Sequence, residues 1–380
     1  MSSAPIPFSK PVYVARPLLP PLEEFSAHLS DIWRAAWLTN NGAKHEALER
    51  ALGAYLHAQH LSLFNNGTIA LIVACRALRL AGEVITTPFT FPATPHVLSW
   101  NNITPVFADI DLTSMTIDPD KIVPLITART TAILGVHVYG IPCDVQKIES
   151  IAESYGLRVI YDAAHAFGTE IDQRPITAFG DVTMLSFHAT KLFHTAEGGA
   201  LVVQNAGLKR RIDLLKNFGI KHEEEVVMPG INGKMTELQA AMGLAVLRYI
   251  DSERDARARI AKIYHERLGQ IKAVTCVAPP DSVRNSYQYF IIRIQREFAR
   301  KGRDELHAEL KQFNIFTRKY FYPLASSYSC YSDLPSAAPE RLPNAHRVAS
   351  EVLALPIYGA LEEDGVNRVC DAISFLMGPR

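Results

Sequence analysis

Short apolar runs alternate with amphipathic stretches from about residue 63 to residue 204. Residues 158–162 form a β-rich run, whereas residues 68–80 and 145–155 carry apolar side chains at helical spacing. Strands that alternate with helices are typical of βαβ units with a mainly parallel sheet. The pattern therefore predicts a doubly wound α/β fold for this part of the chain. Further strands are predicted at residues 83–87, 106–109, 131–138, 182–187 and 200–204.

The second half of the chain has a different pattern. A long helix is predicted over residues 236–270, where small apolar side chains give way to charged ones. Beyond it, residues 287–294 indicate a strand, and residues 303–313 and 348–353 indicate helices. These elements fit a smaller α+β unit after the α/β part.

The length and the charge of the chain limit its possible domain organisation and its possible partners. The chain has 380 residues, of which 48% are apolar, and this exceeds the usual size of one domain. We expect a large α/β domain over residues 1–250 and a small C-terminal domain over residues 251–380. Lys plus Arg equals Asp plus Glu at 39 each, so no overall field attracts nucleic acid or an anionic membrane.

The five cysteines are far apart and show neither C-x-x-C spacing nor a cluster with histidine. We therefore expect reduced thiols, with no metal site and no disulfide framework. The N-terminus lacks a long apolar stretch, and no later segment approaches 18 uninterrupted apolar residues. The expectation is a cytoplasmic protein that does not cross a membrane.

Polar residues follow apolar strands at two places, and a third place opens a helix. Asp162 ends one strand and Lys191 follows another, while Gly67 and Thr68 begin a helix. Ligands of open α/β sheets collect beyond the carboxyl ends of the strands. Taken singly, each has a plain alternative: a turn carboxylate, a surface lysine and an ordinary helix start.

Together the three places match one ligand. A helix N-terminus binds phosphate, a carboxylate holds a protonated ring nitrogen, and a desolvated lysine captures an aldehyde. That combination is pyridoxal 5'-phosphate, whose ring acts as an electron sink when its nitrogen is protonated. Lys191 would be the Schiff-base lysine.

At these residues the chain resembles the DegT/StrS family of pyridoxal-phosphate-dependent sugar aminotransferases of fold type I. The resemblance runs over nearly the whole chain and rests on several motifs in the same order. They occupy residues 37–42, 66–68, 87–91, 162–168, 186–191 and 197–199.

The resemblance implies roles for cofactor-binding residues. It implies that Gly67, Thr68 and Ser186 bind the phosphate, that Phe91 stacks on the ring, and that His165 approaches the phenolic oxygen. Core packing is the alternative for Phe91, and a strand-end hydroxyl bonded to backbone is the alternative for Ser186.

The resemblance also implies an obligate homodimer whose active sites are shared. Lys234 lies in a segment, residues 230–237, that in the family reaches the neighbouring subunit's site. Many members have Arg or Asn at this position, and a solvated loop lysine is the alternative. A lysine can still neutralise a phosphate as a point charge.

Three further residues are candidates for substrate binding. His188 precedes Lys191 by three residues, and we expect a positioning or structural role for it. Arg318 and Tyr320 match a region that in the family lies near the nucleotide-sugar, although ordinary packing explains them equally well.

The resemblance implies transfer of an amino group from glutamate, which leaves as 2-oxoglutarate, to a nucleotide-linked keto-sugar of deoxysugar biosynthesis, such as that of lipopolysaccharide O-antigen. The sequence from His188 to Lys191 resembles enzymes that aminate carbon 4, which favours dTDP-4-keto-6-deoxyglucose as the substrate. A 3-keto-sugar or a UDP- or GDP-sugar is an alternative. Dehydratases of the family typically have His in place of the lysine, and the intact pair of Asp162 and Lys191 argues against a non-catalytic sugar-binding or regulatory protein.

Overall fold

The computed structural model describes residues 4–377. Its helices within that range are α1 Leu22–Ala35, α2 Ala43–Tyr55, α3 Gly67–Ala77, α4 Ala93–Trp100, α5 Val145–Tyr155, α6 Ala206–Leu215, α7 Glu237–Leu247, α8 Ile250–Leu268, α9 Arg303–Leu310, α10 Pro343–Glu351 and α11 Glu363–Met377. Its strands are β1 Val12–Tyr13, β2 His60–Phe64, β3 Glu83–Thr86, β4 Thr104–Phe107, β5 Thr130–Val136, β6 Arg158–Asp162, β7 Glu170–Ile171, β8 Arg174–Pro175, β9 Val182–Ser186, β10 Gly199–Val203, β11 Ile220–His222, β12 Glu225–Val226, β13 Val274–Cys276, β14 Val283–Arg284, β15 Phe290–Ile294, β16 Ile315–Phe316 and β17 Val352–Leu355.

The centre of the molecule is a seven-stranded sheet in the order β2-β10-β9-β6-β5-β3-β4. Strand β10 runs antiparallel to both of its neighbours, and the other neighbouring pairs are parallel. The carboxyl ends of β3, β5, β6 and β9 therefore meet at one edge of the sheet. The predicted α/β fold with a mainly parallel sheet is confirmed.

Each face of the central sheet has its own hydrophobic core. Ile133 and Leu134 are neighbours in β5, yet Ile133 packs in the core that includes α2 and α5, and Leu134 packs in the core that includes α3. Successive side chains of a strand point to opposite faces, which explains this division. Helices thus cover both faces, and the ends of the buried strands are left for ligand binding.

The C-terminal part has a third core. Its three-stranded antiparallel sheet has the order β13-β15-β17, and helices α8, α9 and α11 contribute buried side chains to the same core. Strand β1 pairs in parallel with β16, so the first strand of the chain lies with this part. The division into domains at residue 250 stays a prediction. In the part of the chain that is described, no helix is long and apolar enough to cross a membrane.

The single helix predicted over residues 236–270 is wrong, because α7 ends at Leu247 and α8 begins at Ile250. The two residues of the break both bind Glu24 of α1: Arg248 donates to its carboxylate at 2.7 Å, and the Tyr249 hydroxyl donates to it as well. The break therefore lies where side chains are held by a distant helix, and no glycine or proline marks it in the sequence.

The helix predicted over residues 348–353 is also wrong in its last two residues. Helix α10 ends at Glu351, and Val352–Leu355 forms a fully buried strand that pairs with β15. A short apolar run fits a buried strand and a helix equally well until its partners are known. Strand β2 was not predicted, because Ser62 interrupts its apolar run. The Ser62 hydroxyl donates to Asp213 at 2.7 Å.

Candidate active site

Asp162 ends β6 at the carboxyl edge of the central sheet, and its carboxylate is buried. The hydroxyl of Thr94 donates to Oδ2 at 2.8 Å, and the N–H of Ala164 donates to Oδ1 at 3.1 Å. Burial raises the pKa of the Asp162 carboxyl, while these hydrogen bonds and the charge of Lys191 oppose the rise. A cation placed against the carboxylate would stabilise its ionised form.

Lys191 lies in the loop between β9 and β10, where its N–H donates to the carbonyl of His188 at 2.8 Å. Burial lowers the pKa of the Lys191 ammonium to about 8, and the carboxylate of Asp162 partly opposes this effect. The charge of each group shifts the pKa of the other, which indicates that Asp162 and Lys191 lie in the same site. A lysine with a lowered pKa has more of the neutral, nucleophilic amine.

Helix α3 begins at Gly67, beside the end of β9. The Asn66 side chain caps the helix by accepting from the N–H of Ile69 at 2.8 Å, and the first N–H groups of the helix have no partner within it. A Cβ atom on Gly67 would lie 3.0 Å from Sδ of Met184 and 3.3 Å from Cβ of Ser186. Glycine thus lets the helix N-terminus approach Ser186 closely, which makes a cradle of phosphate-binding character.

Phe91 lies between β3 and α4 and keeps 57% of its side chain exposed. In the single chain its ring is therefore available to a ligand, and the core-packing alternative does not hold. By contrast, Phe89 is fully buried two residues earlier. An exposed aromatic face suits stacking on another ring.

His165 is buried, and its Nδ1 accepts the N–H of Tyr139 at 3.1 Å. Burial lowers the pKa of the His165 imidazole well below its usual value, so the ring is neutral. A neutral imidazole whose Nδ1 accepts a hydrogen bond carries its proton on Nε2. His165 can therefore donate from Nε2 to a ligand oxygen.

Lys234 is buried in the single chain. Its Nζ donates to Oδ1 of Asn217 at 2.8 Å and lies 5.0 Å from the centre of the Phe218 ring. The preceding carbonyl, that of Gly233, accepts the N–H of Asn65 at 2.9 Å. Lys234 is thus not a solvated loop lysine, and its place in a partner's site stays a prediction.

His188, Arg318 and Tyr320 lie around the loop that carries Lys191. The Nδ1 atom of His188 is 2.8 Å from Oγ1 of Thr190, and the His188 side chain is exposed. Arg318, Tyr320 and Thr190 line one cavity of about 400 Å³, so two of the three predicted substrate residues share a cavity with the residue before Lys191, and His188 is not part of the lining.

Several residues of the site were not predicted from the sequence. Thr94 binds the Asp162 carboxylate, Tyr139 fixes the proton of His165, and Gln288 binds the backbone on both sides of Lys191. Thr94 lies three residues after the motif at residues 87–91, so its position in the sequence could have indicated a role in the site. Tyr139 and Gln288 gave no such signal, because their partners are far away in sequence.

The comparison with known proteins decides the family. A family model described as the DegT/DnrJ/EryC1/StrS aminotransferase family matches residues 22–374. The chain belongs to this family.

Individual relatives also support the assignment of this chain to the aminotransferase family. A dTDP-4-amino-4,6-dideoxy-D-glucose transaminase from Shigella dysenteriae is 45% identical over 364 residues, which are 96% of this chain and 98% of that protein. The crystal structure of DesI with its TDP-sugar product has a TM-score of 0.93 at 36% identity and covers 98% of this chain and 94% of that chain. The structure of ntda from Bacillus subtilis with bound PMP has a TM-score of 0.85 at 27% identity. It covers 93% of this chain and 81% of that chain.

The protein is thus a sugar aminotransferase that depends on pyridoxal phosphate, and both predictions are confirmed. Its own geometry fits that cofactor. The cradle at Gly67, which a side chain would fill, suits the phosphate, and the buried Asp162 carboxylate suits a ring cation. The amine of Lys191, with its lowered pKa, suits the aldehyde.

Proposed function

We propose that this aminotransferase transfers the amino group of glutamate to carbon 4 of dTDP-4-keto-6-deoxyglucose and so produces a dTDP-4-amino-4,6-dideoxyhexose. The observation that carries the proposal is the 45% identity, over 96% of the chain, to a protein named dTDP-4-amino-4,6-dideoxy-D-glucose transaminase. The likeness to DesI in the presence of its TDP-sugar product supports a dTDP-linked substrate.

The residues of the site divide the cofactor chemistry among them. When bound, pyridoxal phosphate would supply an aldehyde that accepts the amino group of the donor and a ring that delocalises electrons from the substrate carbon. Asp162 would hold the proton on the ring nitrogen, and Nε2–H of His165 would donate to the phenolic oxygen. Lys191 would hold the aldehyde end of the cofactor, and its amine is the group that would move a proton at the substrate carbon.

The phosphate end is held by backbone and hydroxyl donors. The N–H groups of Gly67 and Thr68 point out of the start of α3, where the helix dipole favours an anion. The Ser186 side chain lies beside them, and Phe91 would stack on the ring. Lys234 completes the charge balance from the partner subunit of a homodimer, as the family resemblance implies.

The substrate cavity lies next to the Lys191 loop. Arg318 supplies a fixed positive charge for the diphosphate, and Tyr320 supplies an aromatic face for the nucleotide. His188 is exposed at the same loop and positions the sugar. These roles are supported by the shared cavity of about 400 Å³, whose lining includes Arg318, Tyr320 and Thr190.

A substrate panel tests the proposal. The purified protein is supplied with pyridoxal phosphate, glutamate and, in turn, 4-keto-6-deoxyglucose linked to dTDP, UDP or GDP and a dTDP-3-keto isomer. Formation of 2-oxoglutarate gives kcat/KM, and NMR of the product gives the aminated carbon. We expect the highest kcat/KM for the dTDP-4-keto sugar. Preference for a 3-keto sugar or another nucleotide would overturn the proposed substrate. A visible cofactor band that does not respond to glutamate would overturn glutamate as the donor.

A further inference from the structure

Gln288 lies between β14 and β15, and only 2% of its surface is exposed. Its side-chain amide binds both peptide groups that flank Lys191. Oε1 accepts the N–H of Leu192 at 2.7 Å, and Nε2 donates to the carbonyl of Thr190 at 2.9 Å. One amide therefore holds the backbone before and after the lysine.

These contacts restrain the direction in which the lysine side chain leaves the backbone. The orientation of the two flanking peptide planes sets φ and ψ of Lys191, which are its only soft backbone dihedrals. The hydrogen bond from Lys191 N–H to the His188 carbonyl holds the first of these planes from the other side. The Cα–Cβ direction of Lys191 is therefore fixed before any ligand binds.

The segment that carries Gln288 is itself attached to the other cofactor motif. The buried Ser286 hydroxyl donates to the carbonyl of His165 at 2.6 Å. The Tyr289 ring stands edge-on to the His165 ring, with 5.0 Å between their centres. This C-terminal segment thus contacts the loop after β6 and the loop after β9, which carry His165 and Lys191.

We propose that Gln288 is a positioning residue that aims Nζ of Lys191 at the cofactor aldehyde. The inference rests on the proposed role of Lys191. It assigns to the C-terminal part of the chain a function in the covalent capture of the cofactor, because both bonds to the lysine backbone come from that part. Productive attack requires the amine to be held close to the carbonyl carbon in the right direction, and small displacements are costly to rate.

Gln288→Glu tests this role through pH while keeping the shape of the side chain. A protonated carboxyl has one O–H donor and one carbonyl acceptor, as the amide has one donor and one acceptor in use here. An ionised carboxylate can only accept, so it repels the carbonyl of Thr190. Burial raises the pKa of a carboxyl, which brings the protonated form within reach at mildly acidic pH. Gln288→Leu can neither donate nor accept at any pH.

The measurement is the rate at which each apoprotein captures pyridoxal phosphate as a borohydride-stable adduct on Lys191, from mildly acidic to mildly alkaline pH. Each rate is divided by the wild-type rate at the same pH. The ionisable groups around the segment include Lys191, His165, Tyr289 and Arg257, which the wild type shares. The ratio removes the part of their titration that both proteins have in common, and Gln288→Leu shows the loss of the two hydrogen bonds without an added charge beside Lys191.

We expect the Gln288→Glu ratio to be near that of wild type at acidic pH and to fall about tenfold as pH rises. Gln288→Leu should be about tenfold slow throughout, and Gln312→Glu, an exposed control, should match wild type at every pH. A Gln288→Glu ratio that stays constant with pH overturns the proposal, and this variant decides alone if Gln288→Leu does not fold. Capture by Lys191→Ala would instead overturn the role of Lys191, so the two failures are distinguishable.

Discussion

The two charged groups of the site, Asp162 and Lys191, have pKa values displaced in opposite directions by the same cause, desolvation. Burial disfavours the charged form of each, which raises the pKa of the carboxyl and lowers the pKa of the ammonium to about 8. Each charge partly compensates the other. The pair is therefore prepared for a ligand that brings a cation to Asp162 and an electrophile to Lys191.

The lowered pKa of Lys191 predicts how cofactor capture depends on pH. The neutral amine attacks an aldehyde and the ammonium does not, so the rate should rise with pH and reach half of its maximum at about 8. The rate of adduct formation by the apoprotein, trapped with borohydride, measures this. Lys191→Ala is the control and should form no adduct. A midpoint near the ordinary lysine value of 10.5 would contradict the burial argument.

Asp162→Asn should leave the fold intact and slow transamination by about two orders of magnitude or more, since a neutral amide does not hold the ring proton. The measurement is kcat with glutamate and the keto-sugar. The matched control is Asp144→Asn, which exchanges the same groups at the N-cap of α5, where Asn also caps well. Wild-type turnover in Asp162→Asn would show that Asp162 only ends the strand and does not hold the ring proton.

Residues that end a strand or begin a helix could be predicted, because the edge where they meet follows from the parallel sheet. Asp162 and the Gly67 helix start are of this kind. Gln288 could not, because its two bonds to the Lys191 loop span 96 and 98 residues and depend on how the C-terminal part packs. No local pattern in the sequence specifies such a contact.

At the scale of elements, the first turn of α3 is capped by Asn66, and the proposed function adds a second role, in which the N–H groups of Gly67 and Thr68 bind a phosphate. Helix α6 has the same type of cap, because Oδ1 of Asn205 accepts the N–H of Leu208 at 2.8 Å. A comparison of the two caps therefore distinguishes the effect of a cap on stability from its effect on binding.

Asn66→Ala and Asn205→Ala should each lower the free energy of unfolding by about 1 kcal/mol, the usual value of an N-cap. Asn66→Ala alone should weaken pyridoxal phosphate binding, by about tenfold, because its first turn would fray. Chemical denaturation and a fluorescence titration of the cofactor measure the two effects. Equal cofactor affinity in both variants would show that the α3 terminus does not hold the phosphate.

The elements that were predicted are those whose pattern is local. Strand β6 and helix α5 have their predicted bounds, because each is one apolar or amphipathic run between polar residues. The break between α7 and α8 and the change from α10 to β17 were missed. The first is held by Glu24 of α1, and the second by pairing with β15, so both depend on packing between distant segments.

At the scale of the whole molecule, the proposed homodimer predicts complementation between two inactive variants. Lys191→Ala subunits mixed with Lys234→Glu subunits should regain activity, since one site of the mixed dimer carries both wild-type residues. At most about a quarter of wild-type activity is expected, because half of the dimers are mixed and each has one intact site. Mass spectrometry of differently labelled subunits verifies exchange. No recovery after exchange would place Lys234 outside the partner's site.

Strands β9 and β10 form a hairpin in which Ser186 pairs with Gly199, and the N–H of Phe187 donates to the Gly198 carbonyl at 2.8 Å. The loop that carries Lys191 is therefore closed at both ends by a fixed register. A shift of one residue in either strand would exchange its inward and outward side chains, whereas a substitution at an exposed loop residue such as His188 or Glu197 leaves the strand register unchanged. An equal-length loop from another family member, with its lysine kept at position 191, is therefore a natural unit for grafting between the two strands.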